Sequence, residues 1–336
     1  MSIPGYTLNE VIGTSPVCRV HRATDRGGNV YAVKLWHPDV DTTRPKREIS
    51  INNTIRQGLG DHNNPCLNLM LKSDYVHPRY VTVFPLVAGT DLDCMLRQKR
   101  EPGVYDVLVA LRMLIELTPG LAQLHEARYG RHAPVPIIHQ DIKPSNIMMD
   151  RKGRVTLIDY EMATLKHAKS TDLFRGTLLY TSPEQVFDHP VDETSDIFST
   201  GLVVGSVATR QHPFDYTPDE LKRSTKKFRQ VVRDRYKTCD HVPLSRKNKC
   251  ITFELDDLVR KMIAPNPKDR MQTAQAVWKA ATRIYESLLA KYQYTEAGVV
   301  RLLQKMIPTS GPQKSMSEAS THQNTATAHC ALRYLS

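Results

Sequence analysis

Two kinds of hydrophobic spacing divide the chain. Between about residues 6 and 87, apolar and polar residues alternate over short runs, as in YTLNEVIG, VCRVHRA, NVYAVKLW and RYVTVFPLV. Alternation of this kind predicts half-buried β-strands, and Thr-Ser-Pro and Gly-Gly turns separate the first three. One segment of this front part, KREISINNTIRQGLG, has helical spacing and ends at a glycine, which is a common helix C-terminus.

Helical periodicity dominates from about Asp91 onwards. Long runs such as VYDVLVALRMLIELTPGLAQLHEA and TAQAVWKAATRIYESLLAKY place apolar residues three and four positions apart. We therefore predict an α+β fold of two lobes, a small β-rich N-lobe at about 1–87 and a larger helical C-lobe at about 88–290. A helical extension at 291–307 and a disordered polar tail at 308–336 are predicted to follow.

Composition limits the classes of protein that fit. No apolar run approaches the roughly 18 to 20 residues that cross a bilayer, and the N-terminus MSIPGYTLNE lacks the features of a signal peptide. The six cysteines are scattered, with no C-x-x-C pair and no His cluster at metal-ligand spacing. These features predict reduced thiols and an intracellular protein, cytoplasmic or nuclear, with no membrane partner.

The net charge of +11 is concentrated in one stretch of the helical part. Residues 217–250 hold eleven lysines and arginines but four acidic residues. Few aromatic residues lie among these charges, so a nucleic-acid partner is disfavoured. We expect a solvated basic face or a docking site for acidic segments of protein substrates, and the sequence gives no indication of oligomeric state.

Candidate chemistry lies in IIHQDIKPSNIMMD, residues 137–150, where Asp141, Lys143 and Asn146 interrupt an apolar run. The next apolar run, VTLID, ends at Asp159 and is followed by Tyr160 and Glu161. GTLLYTSPE then closes the segment at residue 184.

This ordered set resembles the protein kinases, whose H-R-D-x-x-x-x-N catalytic loop, D-F-G and A-P-E motifs correspond to HQDIKPSN, DYE and SPE here. The resemblance covers about residues 6–285 and implies ATP and Mg²⁺ as cofactors. Phosphoryl transfer mostly requires positioning and charge neutralisation around the γ-phosphate. By this resemblance Asp141 accepts the proton of the attacking hydroxyl, and Lys143 neutralises the transferred phosphate. Asn146 and Asp159 would hold Mg²⁺.

The resemblance also implies nucleotide-binding residues in the front part. Lys34 would pair with the α- and β-phosphates and be held by Glu48, which is the only glutamate between Val11 and Arg100. A plain strand-edge lysine and a solvated helix glutamate remain the alternative for these two. Further expected contacts are Gly13 of the phosphate loop, the backbone of Pro85 and Val87 in the hinge that follows Phe84, and Asp91 at the ribose. Val20, Ala32 and Met148 would sandwich the adenine, with ordinary core packing as the alternative for these apolar residues.

The phosphate-covering loop departs from the family pattern. Against G-x-G-x-x-G-x-V, residues 13–20 read GTSPVCRV, with Ser15 and Cys18 in two glycine places. Glycine permits close backbone approach to phosphate, whereas Pro16 removes an amide donor at the tip. We expect a stiffer loop and weaker ATP affinity.

Three departures concern regulation. Gln140 replaces an arginine that in the family holds a phosphorylated activation loop, so we expect activity without a phosphate there, although Ser170 and Thr171 remain candidate modification sites. Glu161 replaces the glycine of the conformational switch and is expected to lock one arrangement. Because a buried Tyr160 hydroxyl needs a partner, we predict a hydrogen bond from Asn52.

The resulting prediction is a serine/threonine protein kinase, because the lysine of DIKPSN and the RGTLLYTSPE segment resemble that branch. The alternative is a pseudokinase that acts as an ATP-binding or nucleotide-free scaffold, which the divergent loop and DYE favour. A small-molecule phosphotransferase is disfavoured by the G-T to P-E segment and by Asp196 in SDIFSTG. Asp196 and an Arg270–Glu184 pair are expected to support the catalytic loop and the closing motif.

Overall fold

A five-stranded antiparallel sheet forms the front of the molecule. We describe a computed structural model, in which residues 3–59, 64–127, 136–166, 178–238 and 241–307 are described. The strand order is β1-β2-β3-β5-β4, and the buried apolar residues of helix α1 belong to the larger hydrophobic core. These elements are β1 (Tyr6–Thr14), β2 (Cys18–Asp25), β3 (Val30–Trp36), α1 (Thr43–Leu59), β4 (Lys72–Val76) and β5 (Arg79–Pro85).

Helices dominate the rest of the molecule. They are α2 (Leu92–Leu96), α3 (Val104–His125), α4 (Pro183–Val186), α5 (Glu193–Thr209), α6 (Pro218–Leu221), α7 (Thr225–Thr238), α8 (Leu244–Lys247), α9 (Phe253–Met262), α10 (Ala274–Tyr292) and α11 (Glu296–Met306). Short strands support the loops between them: β6 (Thr90–Asp91), β7 (Ile137–Ile138), β8 (Ile147–Met149), β9 (Val155–Leu157) and β10 (Thr164–Leu165). The predicted α+β fold, with a β-rich front and a larger helical back, is confirmed.

Helix α3 is the centre of the helical part. It packs against α5 and α10, and its side chains form much of the larger hydrophobic core. By length and composition it is apolar enough to cross a membrane, contrary to our sequence-based expectation, but 72% of its apolar window is buried inside the protein. Burial among other helices accounts for this composition, because a core helix is apolar on all sides.

The predicted helical extension corresponds to α11, which lies against the helical core. Arg112 of α3 pairs with Glu296 at 2.8 Å, and the Gln98 amide donates to the Met306 carbonyl at 3.1 Å. Leu303 of α11 is fully buried. The predicted tail at 308–336 lies outside the described residues.

Candidate active site

A cleft of about 350 Å³ is lined by residues of both the sheet and the helical part. It brings together most of the residues that the sequence singled out. These are Gly13, Val20, Ala32, Lys34, Glu48, Pro85, Val87, Asp141, Lys143, Met148 and Asp159. Phe84 also lines the cleft.

The sheet register explains why several of these side chains share one face. Val20 of β2 lies directly opposite Lys34 of β3. Ala32 lies two residues before Lys34, and side chains two apart on a strand point to the same face. Ala32 in turn lies opposite Phe84 of β5. Three neighbouring strands therefore supply one wall of the cleft.

The ribose contact predicted for Asp91 stays a prediction, and its carboxylate has a different, local role in this structure. Asp91 is fully buried and does not belong to the cleft lining. Its carboxylate caps helix α2 by accepting the amide N–H of Cys94 at 2.7 Å. An aspartate just before a helix satisfies an otherwise unpaired amide, and that local role competes with a role at the nucleotide.

Lys34 and Glu48 form a buried ion pair at the back of the cleft. Lys34 Nζ lies 2.7 Å from Glu48 Oε1 and 3.5 Å from Asp159 Oδ1. Burial alone would lower the pKa of Lys34, but the carboxylates of Asp159 and Glu48 raise it well above its usual value. Burial raises the pKa of Glu48 to about 7, although Lys34 opposes the rise. Lys34 is therefore a fixed cation in the cleft.

Asp196 of α5 holds the start of the catalytic loop, residues 139–146, through two backbone hydrogen bonds. Its two carboxylate oxygens accept the backbone N–H groups of His139 at 2.8 Å and Gln140 at 2.9 Å. One oxygen of Asp141, Oδ2, accepts from Lys143 Nζ at 2.8 Å and from the Asn146 amide at 2.8 Å. The carboxylate of Asp141 is thus held in one orientation at the cleft wall.

The hairpin of β8 and β9 carries the two proposed metal ligands, of which Asp159 lines the cleft, whereas Asn146 is buried and is not among the lining residues. Asn146 immediately precedes β8, and Asp159 follows β9 by two residues. The backbone N–H of Ile158 donates to the Asn146 carbonyl at 2.9 Å. Among the described residues, no group of three or more His, Cys, Asp or Glu side chains could hold a metal alone. A carboxylate and an amide fit Mg²⁺, which is commonly bound through one or two carboxylates with phosphate oxygens completing its shell.

The phosphate loop is closed on itself by Ser15. The Ser15 hydroxyl accepts the amide N–H groups of Val17 at 3.3 Å and Cys18 at 3.1 Å. The Ser15 amide donates to the Cys18 carbonyl at 2.9 Å. In a glycine-rich loop such amides would be free to donate to a nucleotide phosphate. Here the amides of Val17 and Cys18 donate to the Ser15 side chain instead.

The predicted hydrogen bond between Asn52 and Tyr160 is wrong. The Asn52 amide donates to the Glu48 carbonyl at 2.9 Å and accepts the Met70 N–H at 3.0 Å. The buried Tyr160 hydroxyl instead donates to the Leu157 carbonyl at 3.2 Å. Each polar group has a nearer backbone partner, so the two side chains do not need one another.

The closing motif is tied to the helical core by a buried pair. Arg270 donates from Nη1 and Nη2 to the two carboxylate oxygens of Glu184, at 2.7 and 2.8 Å. Both side chains are buried. Ser170 and Thr171, the candidate modification sites, lie outside the described residues.

Sequence reasoning missed one ion pair at the cleft. Arg44 of α1 binds Glu161, and both line the cleft. The two residues are 117 positions apart, so no local pattern links them. The only sequence signal for this ion pair was the charge of Glu161, which stands where the family has the glycine of D-F-G.

Comparisons with known proteins identify the family that this chain resembles. The family model for the protein kinase domain matches residues 6–280. The serine/threonine-protein kinase PknB of Mycolicibacterium smegmatis is 35% identical, covering 84% of this chain and 43% of that protein. Serine/threonine-protein kinase A of Synechocystis is 27% identical over 85% of this chain and 54% of its own length. The dual specificity protein kinase shkC of Dictyostelium discoideum is 31% identical over 67% and 42%.

The chain spans about half the length of these curated relatives. The match to the family model nevertheless covers most of the chain, and it includes every element that lines the cleft. The chain belongs to the protein kinase family.

Proposed function

We propose that this chain is a serine/threonine protein kinase that transfers the γ-phosphate of Mg-ATP to hydroxyl groups of protein substrates. The observation that carries the proposal is the Lys34–Glu48 ion pair, formed in the same cleft as Asp141 and Asp159. An ATP-binding scaffold has no need of an oriented base, whereas phosphoryl transfer needs both the base and the cation.

Each residue has a separate task in this mechanism. Lys34 binds the non-transferred phosphates, and Glu48 keeps its ammonium in place. Asp141 orients the substrate hydroxyl and accepts its proton at Oδ1, because Oδ2 is occupied by Lys143 and Asn146. Lys143 also balances negative charge that develops on the transferred phosphate. Asn146 and Asp159 would hold Mg²⁺, which neutralises the phosphate oxygens.

A pseudokinase is the second candidate, and one specific observation favours it. The Ser15 hydroxyl accepts hydrogen bonds from two backbone amides of the phosphate loop. These amides are then not available to the phosphates, which lowers the expected affinity for ATP. We favour catalysis, because this departure affects nucleotide affinity and leaves the base and the metal ligands in place.

We further propose that protein substrates dock through acidic segments on the α7 basic face, defined as Lys226, Lys227, Arg229, Arg233 and Lys237. Arg229 and Arg233 both donate to the carbonyl of Val186, at the end of α4. This face therefore adjoins α4, which begins within the S-P-E motif. Asp188 pairs with both arginines, while Lys226, Lys227 and Lys237 are exposed.

The docking proposal is tested with a combined Lys226→Gln and Lys227→Gln variant. We expect KM for an acidic peptide to rise about three- to tenfold with kcat unchanged, and the difference to vanish at high salt. A matched control replaces Lys279 and Arg283, which are exposed on α10. Equal KM values for variant and control would remove this docking site.

An intracellular location, cytoplasmic or nuclear, is proposed from the cysteines. Cys18, Cys66, Cys94 and Cys250 form no disulfide in the described part of the chain. Reduced thiols are typical of proteins from those compartments.

The proposed activity is tested by incubating the full chain with Mg-ATP labelled at the γ-phosphate and with mixed protein substrates. Phosphoserine and phosphothreonine are expected in the acid hydrolysate of the products. An Asp141→Asn variant, purified identically, should remove the label. Label on tyrosine alone would contradict the serine/threonine assignment, and label that persists with Asp141→Asn would contradict the assigned base.

A further inference from the structure

The position after Tyr160 carries an acid that is bound to helix α1. Oε1 of Glu161 accepts from Nε of Arg44 at 2.7 Å, and Nη2 of Arg44 binds the same oxygen. The side chain of Arg44 is 14% exposed and that of Glu161 is 12% exposed. This ion pair is therefore largely removed from solvent, and it joins the start of α1 to the segment that follows Asp159.

A second contact joins the same two elements. Nη2 of Arg47 donates to the carbonyl of Met162 at 3.5 Å. Arg44 lies four residues before Glu48, and residues at this spacing lie on one face of a helix, one turn apart. Fixing Arg44 therefore fixes the turn of α1 that presents Glu48 to Lys34.

The ion pair also restrains a competing charge. Oε2 of Glu161 lies 4.0 Å from Nζ of Lys34, whereas Oε1 of Glu48 lies at 2.7 Å. Two carboxylates thus lie within reach of one ammonium. Because Arg44 holds the other oxygen of Glu161, Lys34 keeps Glu48 as its nearer partner.

Position 140 offers no cation that could support the same arrangement. The neutral side chain of Gln140 donates to the Thr164 hydroxyl. Gln185 binds the Gln140 backbone carbonyl at 2.9 Å. Within the described part of the chain, the side chain and the carbonyl of Gln140 thus bind Thr164 and Gln185, and neither group offers a positive charge to a phosphate.

We propose that Arg44 and Glu161 are positioning residues whose ion pair keeps α1 in the arrangement where Glu48 binds Lys34, so that no phosphate on the chain is needed. The proposal rests on the kinase function proposed above. Glu161 locks the arrangement in which the Lys34–Glu48 ion pair is formed, since both contacts occur together. The bistable element is α1, and the pair acts by shifting its population.

The test compares phosphatase-treated wild-type protein with Arg44→Ala and Arg44→Lys variants of the full chain. We expect treatment to leave wild-type kcat/KM for ATP within about twofold, and Arg44→Ala to lower it about tenfold. Arg44→Lys should restore most of the loss, because it keeps the charge. Adding Glu161→Gly to Arg44→Ala should recover part of the loss, because it removes the competing carboxylate. The matched control is Arg22→Ala, which removes an exposed ion pair with Glu10 in the same lobe.

Hydrogen exchange of α1 amides provides a readout that does not require catalysis. Exchange across residues 43–59 should be faster in Arg44→Ala than in Arg22→Ala or wild type. Unchanged exchange in Arg44→Ala would overturn the proposal. So would full activity of that variant, or loss of wild-type activity after phosphatase treatment. If wild-type protein transfers no phosphate while Arg44→Ala still loosens α1, the positioning role stands and the proposed catalytic function fails.

Discussion

Lys34 Nζ lies 2.7 Å from Oε1 of Glu48, and both side chains are buried. This contact crosses from strand β3 to helix α1, so it exists only while α1 lies close against the sheet. It is also the contact that makes the cleft suitable for binding phosphate, because it fixes a cation between two acidic residues.

The ionisation of Glu48 should be visible in the pH profile. Burial raises the pKa of Glu48 to about 7, and the ion pair with Lys34 is complete only when Glu48 is ionised. We expect kcat/KM for ATP to rise with pH through a step near 7, since this ratio reports ionisations of the free enzyme. A Glu48→Gln variant should lack the step. The same step in that variant would assign it to another group.

The same ionisation should affect stability with the opposite sign. The pKa of Glu48 is raised from 4.5 in the unfolded chain to about 7 in the folded protein. Between these values the folded state retains a proton that the unfolded state has lost. The free energy of unfolding should therefore fall as pH rises through this interval. Denaturant titrations of wild type and Glu48→Gln over that range check the difference, and parallel curves would contradict it.

Ser15 should limit the affinity for ATP. Replacing Ser15 by alanine removes the oxygen that accepts the Val17 and Cys18 amides, which frees them to donate to phosphate. We expect KM for ATP to fall about three- to tenfold with kcat unchanged, the effect of gaining a charged hydrogen bond. Ser50→Ala on the exposed side of α1 is the control. A higher KM in Ser15→Ala would show that the hydroxyl assists binding.

Asn52 should stabilise the fold through backbone contacts. An Asn52→Leu substitution leaves the Met70 N–H without its acceptor. A buried unpaired amide costs about 1–3 kcal/mol, so the free energy of unfolding should drop by that amount. The neighbouring Asn53 is exposed, and Asn53→Leu should change stability by less than about 0.5 kcal/mol. Equal effects of the two substitutions would contradict this account.

The Arg270–Glu184 pair should be costly to break from one side. Arg270→Met leaves the Glu184 carboxylate buried without its partner, which should lower the free energy of unfolding by about 3–5 kcal/mol. Adding Glu184→Leu should recover part of the loss, because the orphaned charge is removed. Arg260→Met, which breaks an exposed pair with Asp257, should cost less than about 1 kcal/mol. Thermal and denaturant unfolding of wild type, Arg270→Met, the double variant and Arg260→Met measure these differences in the free energy of unfolding.

The sequence predicted the elements whose signals are local. Alternating residues identified β1, β2, β3 and β5, and helical periodicity identified α3 and α10. Strand β4 was missed, because three of its five residues are exposed and its sequence, KSDYV, has little apolar alternation.

Contacts between distant segments could not be predicted in the same way. The position of Asp91 along the chain suggested a nucleotide contact, but its carboxylate caps α2 by accepting the N–H of Cys94, three residues further on. The side chain of Asn52 binds backbone groups of Glu48 and Met70. No sequence pattern predicted these contacts. The effect of Glu161 depended on Arg44, whose position is known only once α1 is packed against the segment after Asp159.

The most direct test of catalysis measures Mg-ATP binding and a single turnover of γ-phosphate transfer on the same preparations of wild type and Asp141→Asn. Because Asp141 acts on the substrate hydroxyl, we predict similar affinity for Mg-ATP in both proteins and a transfer rate at least about 100-fold lower in Asp141→Asn. ATP binding without transfer in wild-type protein would contradict the account and indicate a nucleotide-binding scaffold.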